Sequence, residues 1–212
     1  MKKLNKIREV EYEVCKRDAF VGSLLILILG IILGVFAKAL DNIAIDSTIW
    51  WHRILEVTNL NNVLSELPFW ILIGLTIAVH SSSPKRAAIN VFLFFIGMNV
   101  SYHLYSVLYC GFNPFESMKL WYGLSLVSPL IAYIVWYAKG NTIYSILISS
   151  IVFAVMLSLT FGIGIFYFHY VSVINSLIFL LSVVVLHNRP DNSLISFALG
   201  IVLAFLARLI IW

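Results

Sequence analysis

Charge is what this 212-residue chain has least of: Asp, Glu, Lys and Arg together make up 11% of it. A soluble domain carries about a quarter. With 61% of residues hydrophobic and a mean hydropathy of +0.98, no water-soluble fold of this size could hide the apolar surface. The scarcity excludes a soluble globular domain and implies an integral membrane protein. Cysteine is nearly absent too. Cys15 and Cys110 are expected on opposite sides of the bilayer, which argues against a disulfide between them. No CxxC or CxxH pair offers a zinc or redox centre, and no metal or cofactor is expected. Paired carboxylates, H-E-x-x-H and G-x-S-x-G are all missing, so no motif for a known reaction is present. The chain also lacks an internal repeat of the transporter kind and low-complexity runs. Its first apolar run has no small-residue cleavage site and reads as a retained span.

What is present is a succession of apolar runs. They predict an all-α integral membrane protein, a polytopic bundle of about seven transmembrane helices with an outer amphipathic interfacial helix. Residues 1–17 read as a cytoplasmic amphipathic segment and 18–212 as one transmembrane domain. The spans are expected at about 20–40, 68–80, 86–112, 120–138, 142–165, 171–186 and 193–211. The second is short for about 30 Å of hydrocarbon. Between the first two, Ile49, Trp50, Ile54, Val57 and Leu60 or Leu64 recur at helical spacing, with Asp46 or Ser47 as a cap. They predict an interfacial helix covering the bundle. Pro129 should kink the fourth span and free a carbonyl. Phe166 to Tyr170 reads as an aromatic outer turn.

Basic residues decide the orientation. The N-terminal cluster, Lys85, Arg86, Lys139 and Arg189 fall in segments of one side, against Arg53 and Lys119 in the other. That places the N-terminus in the cytoplasm and the C-terminus outside a plasma membrane. The net charge of +4 and pI of about 9.1 are then a consequence of topology, and nucleic acid is not expected as a partner.

The third span carries the strongest functional signal. Asn99, His103, Ser106 and Cys110 follow steps of four, three and four, and share a helical face. Met98, Tyr102, Tyr105 and Tyr109 form an adjoining stripe. At 1.5 Å per residue, Asn99 lies about 20 Å and His103 about 25 Å above Arg86. Lys38 and Asp41 end the first span on that side, and Arg208 ends the seventh there. These groups are expected to line an outward-facing polar and aromatic cavity, since each would cost about 2.5 kcal/mol or more against lipid. Asn99, His103, Tyr102, Tyr105, Arg208, Lys38 and Asp41 are the candidate ligand-binding residues.

The function expected is binding or transport of a small, anionic or amphiphilic molecule through that cavity. A membrane-embedded partner or regulatory subunit is the alternative. Gly30 and Gly34, with Ala37 near the same face, let a helix approach closely, from this chain or from a partner. An intramembrane enzyme using His103 and Cys110 is the third reading. Their seven-residue spacing is similar to that of the accessory-gene-regulator peptidases of quorum sensing. The glycine pair expected before the His is replaced by Val100, Ser101 and Tyr102, so that family is not assigned.

Overall fold

The computed structural model describes residues 7–10, 15–46, 48–58, 60–163 and 168–211. The chain forms α1 (Lys16–Asp41), α2 (Trp50–Thr58), α3 (Leu60–Ser65), α4 (Leu67–His80) and α5 (Pro84–Tyr109). Then follow α6 (Phe115–Val135), a 3₁₀ turn (Trp136–Lys139), α7 (Ile143–Thr160), β1 (Phe161–Ile163), β2 (Phe168–Tyr170), α8 (Val173–Leu186) and α9 (Pro190–Ile211). It is an all-α fold with one small hairpin. Five of the described helices are long and apolar enough to cross a membrane: α1, α5, α6 with its 3₁₀ extension, α7 and α9. The remaining two expected spans are 14-residue helices, α4 and α8, each about 21 Å long.

Two parallel helix pairs frame the bundle. On α1 and α5, successive contacts advance together: Ser23 donates to Asn90, Gly30 lies on the Phe94 carbonyl, and Gly34 lies on the Met98 carbonyl and the Ser101 hydroxyl. A Cβ on Gly30 or Gly34 would fall inside those backbone atoms, and one on Gly97 would meet the Leu27 carbonyl. The small-residue face is therefore filled by α5 of the same chain. On α7 and α9, Gly200 rests on Phe153 and the Ser150 carbonyl, and Ser196 donates to Ile146. Lipid tails are as apolar as Leu, so such backbone-close packing, rather than hydrophobicity, holds these helices together.

Between the pairs lies the short α4, which touches both α5 and α7, while α8 packs outside it on α4 and α7. α4 runs antiparallel to α5 and buries Trp70, Leu72, Leu75, Ala78 and Val79 among its neighbours. It also packs on α8. Protein rather than lipid surrounds much of α4, so a short helix satisfies its own backbone there.

Several expectations are corrected. The predicted fifth span to residue 165 stops at Thr160, because Phe161 to Ile163 pairs antiparallel with Phe168 to Tyr170. Gly162 faces His169 across that ladder, where a Cβ would press on the His169 Cβ at 3.0 Å. The single interfacial helix is two, α2 and α3. Its apolar stripe covers the bundle only at its α3 end, where Leu60 and Leu64 pack against the core formed with Ala37, Leu40 and Trp70. His52 and Leu55 turn inward, while Trp50 and Val57 are 76% and 81% exposed. The carbonyl that Pro129 leaves without its helical N–H, that of Ser125, accepts from the Ser128 hydroxyl at 2.8 Å. The predicted N-terminal helix lies largely outside the described residues. Within them, Ile7 to Val10 is non-helical.

Candidate functional site

The last turn of α1 sets Lys38 and Asp41 three residues apart on one face. The Lys38 ammonium is 3.2 Å from Asp41 Oδ2, and the residue is only 6% exposed. Tyr102, from α5, donates to the same Oδ2 at 2.9 Å. Ser65, at the end of α3, donates to Oδ1 at 3.3 Å. The next wall comes from the end of α5. Gly111 takes φ +71, a left-handed conformation that glycine adopts without strain. That turn returns the Phe112 amide to the Ser106 carbonyl at 3.3 Å and brings the Phe112 ring 5.1 Å from the Lys38 nitrogen. The Tyr102 ring centroid is 5.2 Å away. Beside them, Asn42 Nδ2 donates to Cys110 Sγ at 2.5 Å.

An ammonium between two ring faces is favoured by their quadrupoles. It carries three donors, and Asp41 is its one hydrogen-bond partner among the described residues. The cluster thus presents a cation that one carboxylate and two aromatic faces hold in place.

The other candidates go elsewhere. Asn99 is 2% exposed and faces α6, where Nδ2 donates to the Trp121 carbonyl at 3.1 Å and the Ser125 hydroxyl at 2.7 Å. His103 Nδ1 meets the Tyr122 hydroxyl at 2.9 Å on the same helix. Tyr105 packs on Tyr109 with centroids 4.9 Å apart, and Tyr109 is 77% exposed. Arg208 sits on α9, which packs on α7 and β1, and makes no hydrogen bond or ion pair among the described residues. The expected convergence of all seven groups is therefore corrected to three: Lys38, Asp41 and Tyr102. The reason is angular. Tyr102 is rotated about 100° from His103, so α5 sends one to α1 and the other to α6. The supposed catalytic pair shares a helical face but not a partner: His103 engages Tyr122, while Cys110, the residue after the last of α5, engages Asn42.

A cavity of about 470 Å³ lies between the N-terminal halves of α1 and α5, and a cavity of about 10 Å³ lies where Gly140, Ser145 and Asn188 meet. None of the seven residues lines either. Among the described residues, no group of three or more His, Cys, Asp or Glu side chains could hold a metal.

Sequence reasoning missed three polar joints. At the end opposite Lys38, Arg8 donates to the Val79 carbonyl at 3.0 Å and the Trp136 carbonyl at 2.8 Å, with its guanidinium 4.2 Å from the Trp136 ring. Trp136 in turn donates to the Ser81 carbonyl at 2.6 Å. Beside it, Ser23, Asn90 and Ser81 form a hydrogen-bonded chain. At the Lys38 end, Asn175 donates to Glu66 at 3.1 Å, while its buried Oδ1 has no hydrogen-bond partner among the described residues. Asn90 and Asn175, amides inside apolar helices, were the available signals. Outside the spans, the Thr48 hydroxyl and amide on Asp46 hold that carboxyl below its usual range.

No family model matches the chain, and neither a curated protein nor a solved structure matches it.

Proposed function

We propose that this is a seven-span plasma-membrane protein that binds or moves a small anionic or amphiphilic molecule at the end holding Lys38, and that this end faces outward. In this reading α4 and α8 complete the seven crossings with the loops that flank them. Three observations support the orientation: Arg8, Lys85 with Arg86, and Lys139 all sit at the end opposite Lys38. The observation that carries the function is Lys38 itself. It is almost fully buried between the Tyr102 and Phe112 rings and bonded to a single carboxylate. A carboxylate or sulfate ligand would take a free donor position of the ammonium, and its apolar part would lie on the rings. Asn99 with His103 then serves to fix the α5–α6 wall behind the cluster.

The test is calorimetric titration of the detergent-purified protein with octanoate, using octylamine as the charge-reversed control. Saturable octanoate binding that Lys38→Met abolishes, with no octylamine binding, supports the reading. Absent or Lys38-independent octanoate binding removes it. The partner-subunit reading has one observation in its favour: on α2, Trp50, Ile54 and Val57 turn an apolar face away from the bundle. A subunit that co-purifies with the wild type and is lost on Val57→Asp would favour it.

A further inference from the structure

The cavity of about 470 Å³ lies at the end of the bundle opposite Lys38 and has a different chemistry. One wall is a stripe of α1, with Lys16, Phe20, Leu24 and Leu27 at steps of four, four and three. The other is the matching stripe of α5, led by Arg86 and continued by Leu93. Its two cationic side chains thus stand together at one end of an otherwise apolar trough. Arg86 is fixed there by a hydrogen bond from Nη2 to the Ala19 carbonyl, which leaves its other N–H groups free to face the trough. Neither Lys16 nor Arg86 forms an ion pair among the described residues. The acidic neighbour Asp18 is two residues from Lys16, so it projects from another side of α1.

The trough opens sideways. Phe20 is 68% exposed and Leu24 43%, and only 17% of the most apolar stretch of α1 is buried. From Lys16 to Leu27 the helix rises about 16 Å, which matches half of a hydrocarbon core of about 30 Å. The groove is open along its length rather than enclosed, so what lies in it stays in contact with the surrounding lipid. A pair of cations at the level where the helices emerge, above an apolar channel one leaflet deep, complements a single kind of molecule.

We propose that the α1–α5 groove is a binding site for an anionic phospholipid of the adjoining leaflet. Its phosphate lies between Lys16 and Arg86, and one acyl chain runs along Phe20, Leu24 and Leu27. The site is independent of the Lys38 cluster and does not rest on the function proposed for it.

The test is native mass spectrometry of the full-length protein. It is titrated with phosphatidylglycerol or phosphatidylcholine, and one-to-one adducts are counted. The wild type should hold one phosphatidylglycerol in clear preference to phosphatidylcholine. Lys16→Gln with Arg86→Gln should weaken that adduct about thirtyfold, about fivefold for each cation near an anionic lipid. Because Arg86 also braces α1, Lys16→Gln alone is the second variant and should lose about fivefold. Leu24→Trp keeps both cations and fills the trough, so it should expel the lipid. Inorganic phosphate, with the charge but no chain, should fail to displace it. Equal binding of the two lipids, an unchanged preference in both charge variants, or displacement by phosphate would each overturn the site. The same spectra of Lys38→Met should be unchanged, which separates this result from any failure of the outer-end reading.

Discussion

Gly34 on α1 sits directly against the carbonyl of Met98 on α5, with no room between them for a single methyl group. The parallel α1–α5 pair depends on this approach, and it determines what happens when the glycine gains a side chain. Gly34→Ala must push on backbone as well as on the Ser101 hydroxyl, so it should destabilise the protein by about 1–3 kcal/mol. Gly22, on the same helix, has nothing within 4 Å of an added Cβ. Gly22→Ala should therefore be neutral or gain up to about 1 kcal/mol from helix propensity. Thermal unfolding in detergent compares the two. Equal effects would show that α1 and α5 do not meet as described. A partner using the Gly30 and Gly34 face would have to displace α5 first.

Lys38 and Asp41 invite a double-mutant cycle. Asp41→Asn leaves a 6%-exposed ammonium without its one counter-charge among the described residues and should cost about 3 kcal/mol. Lys38→Met leaves the carboxylate, which still accepts from Tyr102 and Ser65 and is partly solvated, so it should cost less, about 1 kcal/mol. Lys38→Met combined with Asp41→Asn closes the cycle: it removes both charges and keeps an acceptor for Tyr102 and Ser65, so it should cost clearly less than Asp41→Asn alone. If the double variant is as unstable as Asp41→Asn, the pair is not the coupled unit that its geometry implies.

Much of the fold was legible because apolar periodicity is a local property. The first span, expected at 20–40, is the core of α1, and the 68–80 and 171–186 runs correspond to α4 and α8. Neighbourhood was not legible. Nothing local in Asn99 and Tyr102 says that one faces α6 and the other α1, because that depends on which helices flank α5. Trp136 suits an interfacial belt by type, yet it is 1% exposed and clamps Arg8 to Ser81. Arg8 looked like part of a charged tail for the same reason: its partners, Val79 and Trp136, are 71 and 128 residues away. The hairpin after α7 was missed because Phe161 and Ile163 are as apolar as the helix they follow.

Arg8 supplies a prediction of its own. Its guanidinium joins the carbonyls at the ends of α4 and α6, both of which lie at helix termini short of donors. Arg8→Gln should raise hydrogen-exchange rates at residues 79–81 and 136–140 while leaving the Lys38 end protected. Charge-assisted hydrogen bonds of this kind contribute about 1.5–3 kcal/mol, so exchange that proceeds through local opening should rise at least about tenfold. Unchanged exchange there would mean that the N-terminal segment does not brace the bundle.

The two cysteines can report orientation without any engineering. α1 and α5 run parallel, Cys15 precedes the first and Cys110 follows the second, so the two thiols lie at opposite ends of the bundle. If the helices cross a membrane, an impermeant maleimide applied to intact cells must reach one thiol and not the other. The clustering of Arg8, Lys85, Arg86 and Lys139 at the Cys15 end makes Cys110 the thiol expected to react from outside. It should react slowly, because it is half-buried and its sulfur is held by Asn42. Asn42→Ala should speed it. Cys15 is exposed and should label rapidly only once the cells are permeabilised. Labelling of Cys15 alone would invert the orientation and put the Lys38 cluster on the cytoplasmic side. Labelling of both from outside would mean that the pair does not cross at all, because no rotation of the bundle brings both helix ends to one face.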